Sequence, residues 1–340
     1  MRLMPRPRTT AAFRTTRRSV LTALPLLPLA LSRRAWAAPD YPARPVSVVV
    51  PYAAGGGLDL VARLLAQKLT ERDGQSFFVE NRLGAGGVIA ASAVAKATPD
   101  GYTLFAGSST QLAIQVTLHK KLPYDPATDF VPIALVASVP FVLIVHPSLA
   151  VQTAGELIAL AKEKPGQLSF GSSGVGGPPH LYMELLQTMT GTKMTHIPYK
   201  GTAEAIVDVL SGRVPVLMSD VAPAAALIEA GKVRALGVSS TTRVAVLPNV
   251  PPIAENGVPG FDAVAWIMVV APAAVPPPIV DKLHVDLKAI VAAPDTQQTL
   301  VKLGTIPIDT PPVPALQAYV KSEIVRWGKV VEHAGLAGSQ

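Results

Sequence analysis

Four short stretches of this 340-residue chain place glycines and hydroxyls just ahead of helix-like segments: residues 53–57, 107–110, 171–177 and 199–201. Glycine lets a backbone approach a ligand closely. The start of a helix offers unpaired N–H groups at the positive end of its dipole. Such turns can hold a carboxylate or a phosphate without any arginine. The fullest example is Tyr52-Ala53-Ala54-Gly55-Gly56-Gly57-Leu58-Asp59. Asp59 falls in a first helical turn, where a carboxylate caps N–H groups or complements the dipole; alternatively it accepts a donor from the ligand or repels a second negative charge. Ordinary strand-to-helix turns also favour Gly and Ser, but four of them in one chain favour anion capture.

The nucleotide fingerprints do not fit. Counting six positions from Gly55 ends on Leu60, and from Gly84 on Ile89, where a dinucleotide motif requires glycine. Leu58-Asp59 stands where a P-loop needs Lys-Ser/Thr. Gly171-Ser172-Ser173-Gly174-Val175 lacks the closing glycine of a nucleophile elbow. The six histidines, His119, His146, His180, His196, His284 and His333, contain no metal-ligand pair at helical spacing. The chain has no cysteine, which removes disulfides and thiolate chemistry. No metal or other cofactor is expected. His180 begins a helix after a polar loop and is the best candidate base, with a cap or cleft wall as the plainer role. A serine hydrolase using Ser172 or Ser173 with His180 stays open as the enzyme alternative.

Charge distribution narrows the partners. The sequence pI is near 9.6, which invites nucleic acid. Yet residues 1–37 hold eight arginines and no acid, leaving 22 basic side chains against 23 acidic ones in the remainder. A nearly neutral mature chain has no basic stripe for a phosphate backbone, so no nucleic acid is expected. The same first residues read as a signal peptide: a basic start, the apolar run VLTALPLLPLAL, and Ala35-Trp36-Ala37 as a cleavage site. Arg17-Arg18 within TRRSVL resembles the twin-arginine motif, with an ordinary secretion signal as the alternative. Export to the periplasm follows.

The elements that must position these turns alternate. Strands are expected at 46–50, 77–80, 102–106, 139–146, 168–170, 195–198, 214–218, 233–238 and 266–271. Helices are expected behind the first glycine turn and at 87–97, 153–164, 180–189, 203–210, 222–230, 279–292 and 314–331. In the first helix Leu60, Val61, Leu64, Leu65 and Leu69 are expected to share one face. The pattern is that of an α/β protein, whose ligands bind beyond the carboxyl ends of strands.

Several motifs together resemble one family. They are the 51–59 loop, Val79-Glu80-Asn81-Arg82, Gly84-Ala85-Gly86-Gly87, Pro99-Asp100-Gly101-Tyr102-Thr103-Leu104, Leu122-Pro123-Tyr124-Asp125-Pro126, His196-Ile197-Pro198-Tyr199-Lys200-Gly201 and Ala230-Gly231-Lys232-Val233-Arg234-Ala235-Leu236. In order and spacing they resemble the Bug-type periplasmic solute receptors, the binding component of tripartite tricarboxylate transporters. The resemblance implies a periplasmic binding protein type II-like α/β fold of two lobes joined by a hinge, a Venus flytrap closing on its ligand. The lobes would be 38–139 plus 263–340, and 140–262. It further implies capture of a small carboxylate by backbone N–H groups, hydroxyls and water. Carried over, the ligand site comprises Tyr52 through Asp59, Ser108, Ser109, Thr110, Ser172, Ser173, Gly174, Val175, Gly176, Gly177, His180, Lys200, Gly201 and Asp220. A monomer serving membrane permease subunits is the expected working form; a receptor feeding a signalling partner is the remaining alternative.

This chain departs from the family pattern in the ligand loops. Gly57-Leu58 replaces a common Ser-Thr, Val175-Gly176-Gly177-Pro178-Pro179 replaces an Asn and serine run, and Ser219 replaces an aromatic. Hydroxyls and an amide are lost, so the expected ligand is a carboxylate with an apolar or aromatic body rather than an amino acid or citrate.

Overall fold

The computed structural model describes residues 41–340. The signal-peptide reading and the first residues of the proposed first lobe lie outside the described residues. Two sheets organise the chain into a two-lobed α/β fold. The first runs β11-β4-β10-β3-β1-β2 and the second β7-β6-β8-β5-β9.

In the first sheet, β1 (Val46–Val50), β2 (Phe77–Asn81) and β3 (Thr103–Ser108) are parallel. Valine fills four of the five β1 positions, and β-branched side chains suit a strand buried on both faces. Between β1 and β2 lies α1 (Gly57–Asp73), stopped by Gly74 at φ 69°, whose N–H returns to the Thr70 carbonyl. Its core face is Leu58, Val61, Ala62, Leu65, Ala66 and Leu69. This corrects the expected stripe: Leu60 is 40% exposed, because the helix starts at Gly57 and turns Leu58 inward instead. A 3-10 turn, Ala85–Gly87, leads into α2 (Val88–Ala95). The strand β3 continues through Gly107 and Ser108, expected as turn, and passes into a π-helical turn Thr110–Ile114 and α3 (Gln115–Leu118).

The chain changes sheets at a proline. The ten-residue β4 (Phe130–Val139) belongs to the first sheet and β5 (Phe141–Val145) to the second. The expected single strand over 139–146 is thus broken at Pro140, which has no N–H for a continuing ladder. Most of β4 escaped the sequence reading. Pro132 within it is tolerated because it sits opposite Val270 beside a register shift.

The second sheet takes β6 (Ser169–Ser172), β7 (Thr195–Pro198) and β8 (Val216–Asp220) as parallel strands, with β5 antiparallel to β8 and to β9 (Arg234–Val238). Four helices join them: α4 (Ala154–Glu163), capped by Thr153 Oγ1; α5 (Pro178–Thr190), opened by proline; α6 (Thr202–Leu210); and α7 (Val221–Glu229). The chain returns to the first sheet at β10 (Ala265–Pro272) and continues through α8 (Pro277–Ala292), α9 (Pro294–Lys302), β11 (Ile306–Pro307) and α10 (Val313–His333). The α9 and β11 elements were not expected. The long α10 packs on β4 and α3 and also meets α5. Among the described residues, no helix is long and apolar enough to cross a membrane.

Candidate functional site

The candidate loops follow the carboxyl ends of parallel strands: β1 and β3 in one sheet, β6, β7 and β8 in the other. Hydrogen bonds knit them into two groups, one for each sheet.

The first group is built on Asp59 and Gln111. Asp59 is fully buried. Its Oδ2 accepts the Gly55 N–H at 2.8 Å and Arg63 Nε at 2.8 Å, and its Oδ1 accepts Asn81 Nδ2 at 2.7 Å. Burial pushes this carboxyl up, but the bonds from Arg63, Asn81 and Gly55 outweigh it and hold the group below the usual carboxylate range. Asp59 therefore shapes the glycine loop, with both oxygens engaged by the protein itself. The residues Ala53, Ala54, Gly55, Gly56 and Gly57 form the exposed crest of that loop. Leu58 turns into the core, in one cluster with Val61 and Leu65.

Tyr52 lies just past the end of β1, and Ser108 ends the neighbouring parallel strand β3. Between them stands Gln111, fully buried, whose Oε1 accepts Ser108 N–H at 3.2 Å and Ser108 Oγ at 2.9 Å. Its Nε2 donates to Gly86 O at 2.7 Å and Tyr52 Oη at 3.0 Å. Tyr124 Oη supports this arrangement by bonding Gln111 O and Gln115 Oε1. The Ser109 and Thr110 hydroxyls are buried with no partner, each costing roughly 1–3 kcal/mol unless a ligand or water supplies one.

The second group is built on Ser172 and two histidines. Ser172 Oγ lies 2.6 Å from His196 Nε2, and it takes the Gly174 N–H at 3.1 Å. His196 stacks on His180 with ring centres 3.7 Å apart. Burial, and then the neighbouring His180, push the His196 imidazole down to about 4, against a smaller opposing pull from Glu184. His180 is buried; its Nδ1 accepts the Gly176 N–H at 3.1 Å, and its Nε2 lies 3.5 Å from Glu184. Both ring nitrogens are engaged, and Ser172 meets His196 instead of His180. The proposed Ser172–His180 hydrolase pair is therefore not formed, and no hydrogen bond among the described residues joins Ser173 to His180. Gly176, at φ 74°, approaches the first-sheet helix α3 so closely that a Cβ there would lie 2.6 Å from Leu118. Gly177 caps α5, and Val175 is 44% exposed.

Further along, Thr202 Oγ1 donates to Asp220 Oδ2 at 2.8 Å. Burial pushes the Asp220 carboxyl up, partly offset by that bond. Lys200 is exposed, its N–H directed to Glu204, and Gly201 caps α6. Among the described residues no cluster of three His, Asp or Glu side chains could hold a metal.

Sequence reasoning missed Gln111, His196 and Thr202 as organisers of the site. Gln111 carried one signal, a polar residue directly ahead of the apolar stretch Leu112-Ala113-Ile114, but nothing in spacing said that it faces two other loops.

Comparison with known proteins places this geometry in context. The family described as tripartite tricarboxylate transporter family receptor matches residues 61–336. BugT of Bordetella pertussis is 37% identical over 299 residues, covering 88% of this chain and 91% of that protein. Among solved structures, R. palustris Rpa4515 with adipate is 40% identical with a TM-score of 0.77, covering 88% of this chain and 99% of that one. MatC from Rhodopseudomonas palustris with bound malate is 33% identical with a TM-score of 0.72, covering 86% and 99%.

Proposed function

This chain belongs to the tripartite tricarboxylate transporter receptor family, and on that premise we propose that it is a periplasmic solute-binding protein that captures a small organic carboxylate between its lobes. The observation that carries the reading is the pair of buried hydroxyls, Ser109 and Thr110, left without partners at the end of β3. Buried polar groups are nearly always hydrogen-bonded, so this end of the strand is built for an occupant. Relatives that hold adipate and malate point to carboxylate.

The ligand loops are 52–59 and 108–110 from one lobe and 172–177, 200–201, His180 and Asp220 from the other. Within them Asp59, Ser108 and His180 hold the loops in shape, while backbone N–H groups and the free hydroxyls take the anion. The lobes divide as 38–139 plus 263–340 and 140–262, with the hinge at the two sheet crossings. The exposed Val175 offers an apolar contact, in keeping with a ligand that has an apolar body; adipate carries a methylene chain between its carboxylates. The protein acts as a monomer after removal of residues 1–37, binds without turnover, and delivers its ligand to permease subunits in the membrane.

A thermal-shift series on residues 38–340 tests this with adipate, malate, benzoate, aspartate and citrate. A ligand that binds only the native state adds about 2.7 kcal/mol of apparent stability at a hundred times its Kd. A shift with aliphatic or aromatic acids and full recovery of the compound is expected. No shift with any acid, on folded and ligand-free protein, would overturn the reading.

A further inference from the structure

We infer that Gln111 sets the polarity of the Tyr52 hydroxyl, turning it into a hydrogen-bond donor aimed at the bound anion; the inference rests on the carboxylate-binding reading above.

The amide of a glutamine is usually ambiguous, because its oxygen and nitrogen have nearly the same shape. Here backbone groups settle it from both sides. The Ser108 backbone N–H, 3.2 Å from one end of the amide, can only donate, so that end is Oε1. The Gly86 carbonyl, 2.7 Å from the other end, can only accept, so that end is Nε2. Nε2 carries a second proton, and Tyr52 Oη lies 3.0 Å away to receive it. The tyrosine oxygen is thus an acceptor in this bond. Its own proton has no acceptor among the described residues, and Tyr52 is half-buried at the head of the glycine loop. A carboxylate oxygen seated on that loop is the partner that such a proton fits.

The same network assigns Ser108 the opposite role. Its Oγ donates to Gln111 Oε1 at 2.9 Å and receives the Thr110 N–H at 3.3 Å, so its proton is spent within the protein. Gly87 makes room for this arrangement: at φ 95°, with a Cβ there only 2.5 Å from Gln111 Nε2, the position excludes a side chain. One buried amide therefore joins three loops and presents a donor, and no acceptor, at the Tyr52 end of the cleft. That end should take a carboxylate and refuse an ammonium group.

Gln111→Glu keeps the shape and removes both Nε2 protons. The new oxygen faces the Gly86 carbonyl and draws the Tyr52 proton inward. Calorimetric titration with the acids of the thermal-shift series reads the effect. Tyr52→Phe is expected to weaken the bound acid roughly tenfold or more, the loss of one hydrogen bond to a charged group. Gln111→Glu should weaken it at least as much in the wild-type background and add little in the Tyr52→Phe background. Equal, additive losses in the two backgrounds would overturn the inference, because Gln111 would then act through loop shape alone. An unchanged affinity in Tyr52→Phe would overturn it as well. If Gln111→Glu does not fold, Gln111→Met enters the same cycle; it removes the Nε2 donors without supplying a strong acceptor, so a smaller loss is expected, and that loss should likewise vanish in the Tyr52→Phe background. Binding of an acid with unaffected variants defeats this inference alone, whereas failure of every acid to bind the wild type defeats the reading beneath it.

Discussion

Replacing Asp59 by alanine should destabilise the protein far more than its place in the first turn of α1, just behind an exposed glycine loop, suggests. The carboxylate is fully buried and receives three donors, at 2.8, 2.8 and 2.7 Å. Its inner oxygen binds Asn81, whose amide also reaches the Tyr52 carbonyl at 2.9 Å. Loss of the side chain frees the exposed Gly55 N–H, so the crest loses its anchor, and takes one of two acceptors from the half-buried Asn81 amide. Hydrogen bonds to a charged group contribute about 1.5–3 kcal/mol each, and breaking a buried charged set costs about 3–5 kcal/mol. We expect a loss of about 3–4 kcal/mol for Asp59→Ala, or about 5–6 °C in the thermal midpoint for a chain of this size. Arg63→Met takes one of the three bonds and the counter-charge from the buried carboxylate, but the Gly55 and Asn81 bonds remain and Arg63 itself is 48% exposed. It should therefore cost clearly less, about a third to a half of the Asp59→Ala loss. Thermal unfolding followed by circular dichroism, with and without a bound acid, checks both variants. An Asp59→Ala midpoint within about 2 °C of wild type, or an Arg63→Met loss as large as that of Asp59→Ala, would refute the argument that the buried oxygens matter more than the exposed partner.

Two further outcomes follow from the site. The Asp220 carboxyl is raised by burial, so the folded state favours its acid form; that contribution to stability is complete below the unfolded carboxylate value and is lost as pH rises through the folded one. Its ionisation adds negative charge beside an anion, so carboxylate affinity should fall over the same rise in pH and flatten in Asp220→Asn, as measured by titration across pH 4–8. Gly176→Ala combines a strained φ of 74° with a Cβ only 2.6 Å from Leu118, and should cost roughly 1–3 kcal/mol. Leu118 is buried, so Leu118→Ala carries its own cost of about 2–5 kcal/mol; the double variant should lose less than the sum of the two single losses because the clash is gone, and strictly additive losses would count against a close contact between Gly176 and α3.

The alternation of strands and helices, the glycine turns after strands and the lack of cysteine were all legible along the chain, because each is written in the residues themselves or in a few neighbours. Strand β7 falls where expected, at Thr195–Pro198, and of the expected α1 face Val61, Leu65 and Leu69 are buried, while Leu64 is half-buried, Leu60 is exposed, and Leu58, Ala62 and Ala66 complete the face. Local pattern also brings out the family resemblance, since its motifs are short and ordered. What the chain could not declare was partnership at a distance. Gln111 meets Gly86 and Tyr52 across 25 and 59 residues, and His196 reaches Ser172 across 24, so tertiary folding alone chose His196 over His180 as the serine's neighbour. The strand β4 hid behind Pro132, tolerated only because β10 shifts register beside it. Hydrophobic periodicity and turn chemistry act over one turn or one strand and can be read in order. The direction of a hydroxyl proton or the burial of a carboxylate depends on which groups the fold brings within hydrogen-bond reach, and that is decided only when the sheets assemble.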